Sequence, residues 1–233
     1  MAVAVKPVEA KVDPIVQEMM AVGLHFGHRT SKTHPKMQPF ITGVRNTVHI
    51  IDLEKTKEKL AEMAEHLKKL KEEGKVLLLV GTKVQQRPLI QEAAKECNLP
   101  FVTERWIGGT FTNFTAIAKR IERLKDLERQ KQEGEWEKYT KKEGLLLEEE
   151  RRILEANFGG IKELAKVPDA IFVCDLTENA LAVREARKKD VAVFAISDTN
   201  TNPEEADHFV PANNDATSAL QYVLGKIKEA WQQ

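Results

Sequence analysis

The sequence predicts an α/β fold in which an open parallel sheet carries helices on both faces and a helical hairpin is inserted into the chain. Short apolar runs alternate with amphipathic helical segments along most of the sequence. One run, residues 76–80, is apolar throughout, as is typical of a central parallel strand covered on both faces. A densely charged segment interrupts the alternation, which then resumes, so the insertion lies within one domain. This layout is that of Rossmann-like and flavodoxin-like sheets.

The first half of the chain leads from a tail through a basic arm into the sheet. Asp13-Pro14 is a pattern that starts helices, and Gly74 is well placed to end one. A run rich in β-branched residues at 47–52 is predicted to be the first strand of the core. The predicted elements are a tail at residues 1–13, a short helix at 15–23, the strand at 47–52, a helix at 53–73, a strand at 75–80, a helix at 84–97 and a strand at 100–103.

The second half contains the insertion. Between Lys119 and Glu155 there are eleven basic and eleven acidic residues, and apolar seams recur at helical spacing on both sides of Gly134 and Gly144. Two helices packed along these seams fit the pattern better than one long solvated helix. The sheet domain is then residues 14–115 and 156–233, with the coiled-coil hairpin at 116–155. Its later elements are a strand at 169–174, a helix at 178–189, strands at 191–196 and 208–210, and a closing helix at 215–231.

Composition limits the class of protein. A chain of 233 residues can bury one good core, and its formal net charge of zero argues against a nonspecific nucleic-acid binder, although charges can still be segregated by face. Cys97 and Cys174 lie too far apart in sequence to indicate a disulfide framework or a zinc ribbon, so a reducing compartment is the simplest expectation. No signal-peptide core or long apolar run occurs, so a soluble, cytoplasmic protein is expected.

The most informative stretch is residues 19–51, which contains no acidic residue and four of the six histidines. Within it, residues 22–47 form what we call the basic arm. Cations and backbone N–H groups without nearby carboxylates suit contact with a phosphate backbone, whereas a solvated basic loop is the alternative. Glycines and prolines predict an irregular loop that is unordered without RNA, because it offers little apolar surface. The candidate contacts are Arg29, Lys32, Lys36 and Arg45.

Further candidates lie at strand ends. Lys83 follows a strand in the sequence Val-Gly-Thr-Lys, which suits a phosphate contact or a plain turn. The spacing of a Walker loop and the Gly-x-Gly-x-x-Gly fingerprint are both missing, so no cofactor is predicted. Asp175, Glu178 and Asp198 lie where α/β enzymes place catalytic carboxylates, but helix capping and loop hydrogen bonds explain them equally well.

Histidines in the basic arm have a spacing that metal sites use. His25 and His28, with His34 nearby, could place two imidazoles on one ion, but neither a cysteine nor an acid lies close in sequence to complete the set. No metal site is therefore predicted. His25 and His28 are expected to hydrogen-bond backbone or phosphate, and they join the candidate RNA contacts.

A second acid-free stretch begins at Arg105 and contains two adjacent glycines. Arg105 can pair with phosphate through two parallel hydrogen bonds. Trp106 and Phe111 could stack on a base, but a role as the apolar hinge between hairpin and sheet is the better explanation of the two aromatic residues.

These motifs, taken in order, resemble those of one family, the bacterial small-subunit ribosomal protein S2. The resemblance spans roughly residues 15 to 228. The motifs are Gly-Leu-His-Phe-Gly-His at 23–28, Pro-Lys-Met at 35–37, Arg-Trp-Ile-Gly-Gly-Thr at 105–110, Thr-Asn at 112–113, Gly-Gly-Ile-Lys at 159–162, Pro-Asp-Ala at 168–170, Asp-Thr-Asn at 198–200 and Asn-Asn-Asp-Ala at 213–216.

The resemblance implies a Rossmann-like sheet with an inserted hairpin and a non-enzymatic role. It implies that the protein binds small-subunit ribosomal RNA near the junction of head and body, in the ribosome of the cytoplasm. Neighbouring small-subunit proteins would be partners, including the large multidomain one that helps to capture messenger RNA. The four basic-arm cations would contact RNA backbone, with Arg105 and Lys83 as further candidates. The neutral charge of this chain departs from strongly basic ribosomal proteins and predicts few phosphate contacts.

Two other functions stay open from the residues alone. An enzyme or nucleotide sensor could use the loops after Val80 and Ile196, although the missing phosphate fingerprints count against it. An adaptor could dock a partner on the hairpin by charge pairing, and this role is compatible with a ribosomal one.

Overall fold

A computed structural model describes residues 13–232, so the predicted tail lies outside the described residues except for Asp13. Two β-sheets and seven α-helices cover most of this range. The helices are α1 (Pro14–Ala21), α2 (Leu53–Glu72), α3 (Arg87–Cys97), α4 (Phe114–Gln132), α5 (Lys141–Phe158), α6 (Ala180–Lys188) and α7 (Thr217–Gln232). The strands are β1 (Phe26–Arg29), β2 (Ile41–Arg45), β3 (Val48–Ile51), β4 (Leu77–Val80), β5 (Phe101–Val102), β6 (Ala170–Val173), β7 (Ala192–Ser197) and β8 (His208–Pro211). None of the helices in this range is long and apolar enough to cross a membrane.

The larger sheet is parallel and has five strands in the order β5-β4-β6-β7-β8. Counted from β4, this order is 2-1-3-4-5, the flavodoxin-like arrangement. The predicted open parallel sheet is confirmed. In this arrangement the strand order reverses between β4 and β6, and the carboxyl ends of those two strands define the crevice where open α/β sheets bind ligands.

Helices cover both faces of this sheet, as predicted. Along β4, Leu77 and Leu79 belong to one core cluster, which also contains buried side chains of α2, α3 and α7. Leu78 and Val80 point to the opposite cluster, which contains buried side chains of α4, α5 and α6. All four residues are fully buried, which is why this strand reads as a continuous apolar run instead of an alternating one.

The smaller sheet corrects two predictions. Strands β1, β2 and β3 form an antiparallel sheet in the order β1-β3-β2 within the basic arm and the residues that follow it, so the arm is not simply an irregular loop. The strand predicted at 47–52 belongs to this sheet and not to the parallel core. Burial alternates along β3, with His49 and Ile51 buried and Val48 and Ile50 half-exposed. Such alternation is the pattern of a sheet with one solvated face.

Helices α4 and α5 form the hairpin. Buried side chains of both helices make one seam that is continuous with the core on one face of the sheet, and they include Ile121, Leu124, Leu154 and Phe158. Two ion pairs join the helices, Arg123 with Glu150 at 2.8 Å and Lys131 with Glu148 at 2.7 Å. A capping box at Thr140 and Glu143 starts α5. The apolar seam, not the exposed ion pairs, supplies most of the association between the two helices.

Candidate functional site

The turn between β2 and β3 sets the shape of the arm sheet. Asn46 and Thr47 have φ values of 49° and 65°, and a two-residue hairpin turn of type I′ needs positive φ at both positions. Asparagine tolerates this conformation, but a β-branched residue such as Thr47 is strained in it. The carbonyl of Thr47 accepts a hydrogen bond from Thr30 N at 2.9 Å, which joins the turn to the end of β1. The strained turn is therefore held from the β1 side of the sheet.

Two arginines lie at this end of the sheet. Arg29 on β1 and Arg45 on β2 are both in register with Val48 on the central strand β3. Residues directly opposite one another in an antiparallel sheet share a face, so both arginines lie on the face that carries Val48, about 10 Å apart across two strand spacings. Both are exposed, and neither has an ion-pair partner among the described residues. They are free to bind an anion.

The other two arm cations differ from each other. Lys32 is exposed and lies just beyond β1, where its backbone N–H donates to the carbonyl of Arg29 at 2.8 Å. It too has no carboxylate partner among the described residues. Lys36 forms an ion pair with Glu204, so its charge is already compensated within the chain. Arg29, Lys32 and Arg45 therefore form the cationic end of the arm, which we call the arm triad, and Lys36 does not belong to it.

The arm is seated on the end of β7 through Thr199. His28 N donates to Thr199 Oγ1 at 2.9 Å, and His34 N donates to the Thr199 carbonyl at 2.8 Å. Next to the first of these contacts, the backbone at Gly27 comes so close that a Cβ atom there would lie 2.5 Å from Thr199 Cγ2. Only glycine fits this approach without displacing Thr199. The conformation of β1 thus depends on a residue 171 positions away.

Further contacts hold the arm along its length. The side-chain amide of Asn213 donates to the Gly23 carbonyl and its backbone N donates to the Leu24 carbonyl, each at 3.2 Å. Leu24 and Met37 are fully buried, and Ser197 Oγ lies 3.4 Å from Met37 Sδ. The arm therefore offers more apolar surface to the protein than its glycines and prolines indicated, and this premise of the predicted disorder is wrong.

The crevice at the reversal of strand order is filled by the protein's own charges. Lys83 follows β4 and Asp175 follows β6, and their Nζ and Oδ2 atoms lie 2.5 Å apart. Lys83 also contacts Asp215 at 2.7 Å. Burial alone would lower the pKa of Lys83, but the hydrogen bonds to the two aspartates outweigh it and raise that pKa. Lys83 was predicted to contact phosphate, but in the structure its ammonium group is already paired with two carboxylates.

His28 extends this charged network towards the arm. Its Nδ1 atom lies 3.1 Å from Asp198 Oδ2 and its Nε2 atom 3.4 Å from Asp215 Oδ2. The hydrogen bond to Asp198 raises the pKa of His28, although partial burial opposes this. The donor atoms of His28, Asp198 and Asp215 lie within 4.8 Å of one another, so these three side chains could hold a metal ion. Lys83 competes for one of the same carboxylates.

The histidine set considered from sequence spacing is not brought together. His25 packs against Phe26 with the two rings tilted and their centroids 3.9 Å apart, and burial together with the Arg45 guanidinium lowers the pKa of His25. His34 Nδ1 accepts from Lys36 N at 3.3 Å and caps a short 3-10 helix. Among the described residues, the only grouping of potential metal ligands instead combines His28 with two distant aspartates.

Arg105 lies apart from the arm triad. It follows β5 at the edge of the sheet, whereas the arm is seated on β7, three strand spacings or about 14 Å away. Arg105 is exposed and has no ion-pair partner among the described residues. Trp106 and Phe111 are buried and pack edge to face at 4.9 Å, so the interpretation of these aromatics as hinge core is confirmed.

Sequence reasoning missed the residue that organises the loop after Arg105. Glu185 on α6 is buried, and its carboxylate accepts backbone hydrogen bonds from Gly109, Phe111 and Thr112 at 2.7, 2.9 and 3.3 Å. A glutamate in an amphipathic helix gives no signal of this role by itself. Its position beside the two buried residues Ala182 and Ala186, on the inner face of α6, is the only hint in the sequence.

Comparison with known proteins agrees with this architecture. A family model described as Ribosomal protein S2 matches residues 19–233. A protein named small ribosomal subunit protein uS2 from Koribacter versatilis (strain Ellin345) is 41% identical over 215 residues, which cover 92% of this chain and 71% of that protein.

Proposed function

The chain belongs to the ribosomal protein S2 family, whose members are structural proteins of the small ribosomal subunit, and from this premise we propose that it binds small-subunit ribosomal RNA through the arm triad. The observation that carries the proposal is the exposed row in which Arg29 and Arg45 flank Val48. Arginines bind phosphate oxygens through paired hydrogen bonds, and two of them on one face can engage separate phosphates. Lys32 adds a third charge at the same end.

Electrostatics support the arm as the RNA-facing side. The net charge of the chain is zero, so RNA must meet a region where cations are not neutralised internally. Lys36 and Lys83, which stood beside the triad as candidates, are compensated by Glu204 and by the pair Asp175 and Asp215. Their contribution to RNA binding is indirect: Lys36 ties the arm to Glu204, and Lys83 holds Asp175 and Asp215 beside the surface on which the arm is seated.

We further propose that the protein occupies the junction of head and body in the small subunit and contacts neighbouring ribosomal proteins there, including the large one that captures messenger RNA. The family membership supports this location. The role needs no cofactor and no reaction: it requires a rigid core that holds a cationic surface in a fixed orientation. Arg105, at the same carboxyl end of the strands but distant from the triad, would make a separate phosphate contact.

A salt titration of binding to small-subunit ribosomal RNA fragments tests the proposal. Replacing the arm triad by alanine should reduce affinity and lower the slope of log K against log salt by about two to three units, since each phosphate contact contributes about 0.7 to 0.9. Lys36→Ala should leave the slope nearly unchanged. The matched control replaces Lys95, Lys188 and Lys189, which are exposed and have no ion-pair partner among the described residues, and so removes the same charge elsewhere. If the control lowers the slope as much as the triad variant does, the arm is not the RNA site.

A further inference from the structure

Large apolar side chains are exposed in one part of the hairpin. Tyr139, Leu145, Leu146 and Ile153 have 49%, 65%, 63% and 51% of their surface accessible. These four residues, which we call the hairpin stripe, lie within a segment of 15 positions. Isolated exposed apolar residues need no explanation, but a group of this kind, three of them on α5 and one just before it, marks an interaction surface.

The hairpin stripe faces away from the core of the hairpin. On α5 the buried side chains are Leu154 and Phe158, and the three apolar stripe residues on this helix fall in a sector about 100° wide on the outer side. Leu146 and Ile153 are two turns apart and lie nearly above one another. The sequence Leu-Leu-Leu at 145–147 thus supplies Leu147 to the α4–α5 seam and the two preceding leucines to the outside.

Three cations border the stripe at the tip of the hairpin. Lys138, Lys141 and Lys142 are exposed, and none of them pairs with a carboxylate among the described side chains. Lys141 and Lys142 occupy the first turn of α5, where the helix dipole makes positive charge unfavourable. Residues that destabilise a helix terminus and have no compensating contact within the chain are expected at sites that bind a partner.

Acidic side chains on the same helix decide between classes of partner. Glu148, Glu149 and Glu150 lie in the middle of α5, and Glu149 falls within the sector of the stripe, where it pairs with Arg152 at 2.8 Å. A nucleic-acid backbone laid along α5 would meet these carboxylates. A short peptide helix along the stripe would meet only Glu149, whose charge Arg152 compensates, while its apolar side chains reach the leucines and its acids reach the lysines.

We propose that the hairpin stripe docks an acidic amphipathic helix of another protein, laid along α5 as a third helix. The stripe from Leu145 to Ile153 spans about 12 Å at 1.5 Å per residue, so the partner needs two to three turns with apolar residues at positions i, i+3, i+4 and i+7. Its acids gather at the end that reaches Lys138, Lys141 and Lys142. The partner is placed in the small ribosomal subunit, and this placement rests on the proposed function.

A photo-crosslinking amino acid at Leu146 tests the docking in assembled small subunits. Crosslinked peptides identified by mass spectrometry should come from one neighbouring protein and should carry net negative charge with helical apolar spacing. The same probe at Glu58, an exposed position on α2, serves as the control. A crosslink to RNA alone, to a segment without excess acidic residues, or at no more than the control yield would overturn the proposal.

A second variant separates this proposal from the function proposed for the arm. Replacing Leu145, Leu146 and Ile153 by serine should lower the amount of the crosslinked partner in purified subunits about tenfold, because apolar anchors dominate such interfaces. The exposed positions tolerate serine, so the RNA affinity of the free protein should stay unchanged. Unchanged partner content with the serine variant contradicts the docking. Loss of RNA binding in the arm-triad variant but not in the serine variant shows that the two proposals can fail separately.

Discussion

Arg29 and Arg45 lie on the same face of the arm sheet, one on each side of Val48. Each of them lies directly opposite Val48 in the strand pairing. Their spacing is fixed by backbone pairing and not by side-chain contacts. Fixed backbone positions for the two side chains lower the entropy that must be lost when each guanidinium finds a phosphate. The paired hydrogen bonds of the guanidinium groups can therefore be tested separately from their charge.

Conversion of both arginines to lysine should keep the charge and lose the paired hydrogen bonds. We expect the salt slope of RNA binding to stay within about half a unit of the wild-type value while affinity falls several-fold, because lysine binds phosphate as a point charge. Titrations of Arg29→Lys/Arg45→Lys beside the double alanine variant measure both quantities. A slope as low as that of the alanine variant would show that geometry, not charge, controls the number of contacts.

Gly27→Ala should destabilise the arm, since its new methyl group would lie 2.5 Å from Thr199 Cγ2 and 2.9 Å from Oγ1. The expected loss in the free energy of unfolding is about 1–3 kcal/mol, as for other overpacked sites. Urea unfolding of Gly27→Ala, Thr199→Ala and the double variant gives the coupling between the two positions. The cost of Gly27→Ala should be smaller when Thr199 is alanine, and equal costs in both backgrounds would rule out this contact as the cause.

Hydrogen exchange should show protection within the arm of the free protein. Thr30 N donates to the Thr47 carbonyl at 2.9 Å and His34 N to the Thr199 carbonyl at 2.8 Å, so these two amides should exchange more slowly than those of the exposed turn at Asn46 and Thr47. Exchange at the intrinsic rate throughout residues 22–47 would restore the expectation that RNA is needed to order the arm.

Two glycines of the hairpin region should respond to alanine in opposite directions. A Cβ atom at Gly160 would lie 2.2 Å from the carbonyl oxygen of Phe101 on the edge strand β5, so Gly160→Ala should cost about 2 kcal/mol or more. Gly144 lies inside α5 with open space around it, so Gly144→Ala should add about 0.5–1 kcal/mol. Thermal unfolding compares the two, and destabilisation by Gly144→Ala would show an unrecognised contact there.

Acid should weaken the contribution of Glu148 to the hairpin. Hydrogen bonds from Arg151 and Lys131 lower the pKa of this glutamate to about 2. A lowered pKa means that the contribution is present above the unfolded-state value near 4.3 and is lost as the pH falls towards 2. The difference in melting temperature between the wild type and Glu148→Gln should therefore be small but constant above pH 5 and vanish near pH 2. A difference that grows on acidification would contradict the assignment.

The alternation of apolar runs and helices was sufficient to predict the parallel sheet, because each buried strand is continuous in sequence and bounded by turn residues. The strand at residues 47–52 was assigned to the wrong sheet, since β-branched content reports strand propensity and not the sheet to which a strand belongs. Burial alternates from Val48 to Ile51, but polarity does not alternate with it, because His49 lies on the buried face and the apolar Val48 and Ile50 lie on the half-exposed one.

The charged network could not be predicted in the same way. His28 meets Asp198 and Asp215 across more than 160 residues, and only the closed topology brings them together. The distinction between free and compensated cations is equally nonlocal: Lys32 and Lys36 are neighbours in sequence, but Glu204 lies within reach of only Lys36. Sequence located the cationic stretch, and tertiary structure selected the residues within it that can bind an anion.

The seating of the arm on Thr199 and Asn213 also has a consequence for biosynthesis. Gly23 and His28 leave the translating ribosome long before their partners, which follow 190 and 171 positions later. Folding proceeds from the N-terminal side as the chain emerges, but the arm has nowhere to dock until most of the polypeptide has been made. A prematurely terminated chain would therefore lack an ordered cationic surface, and incomplete products would be poor competitors for the RNA that we propose as the ligand of the finished protein.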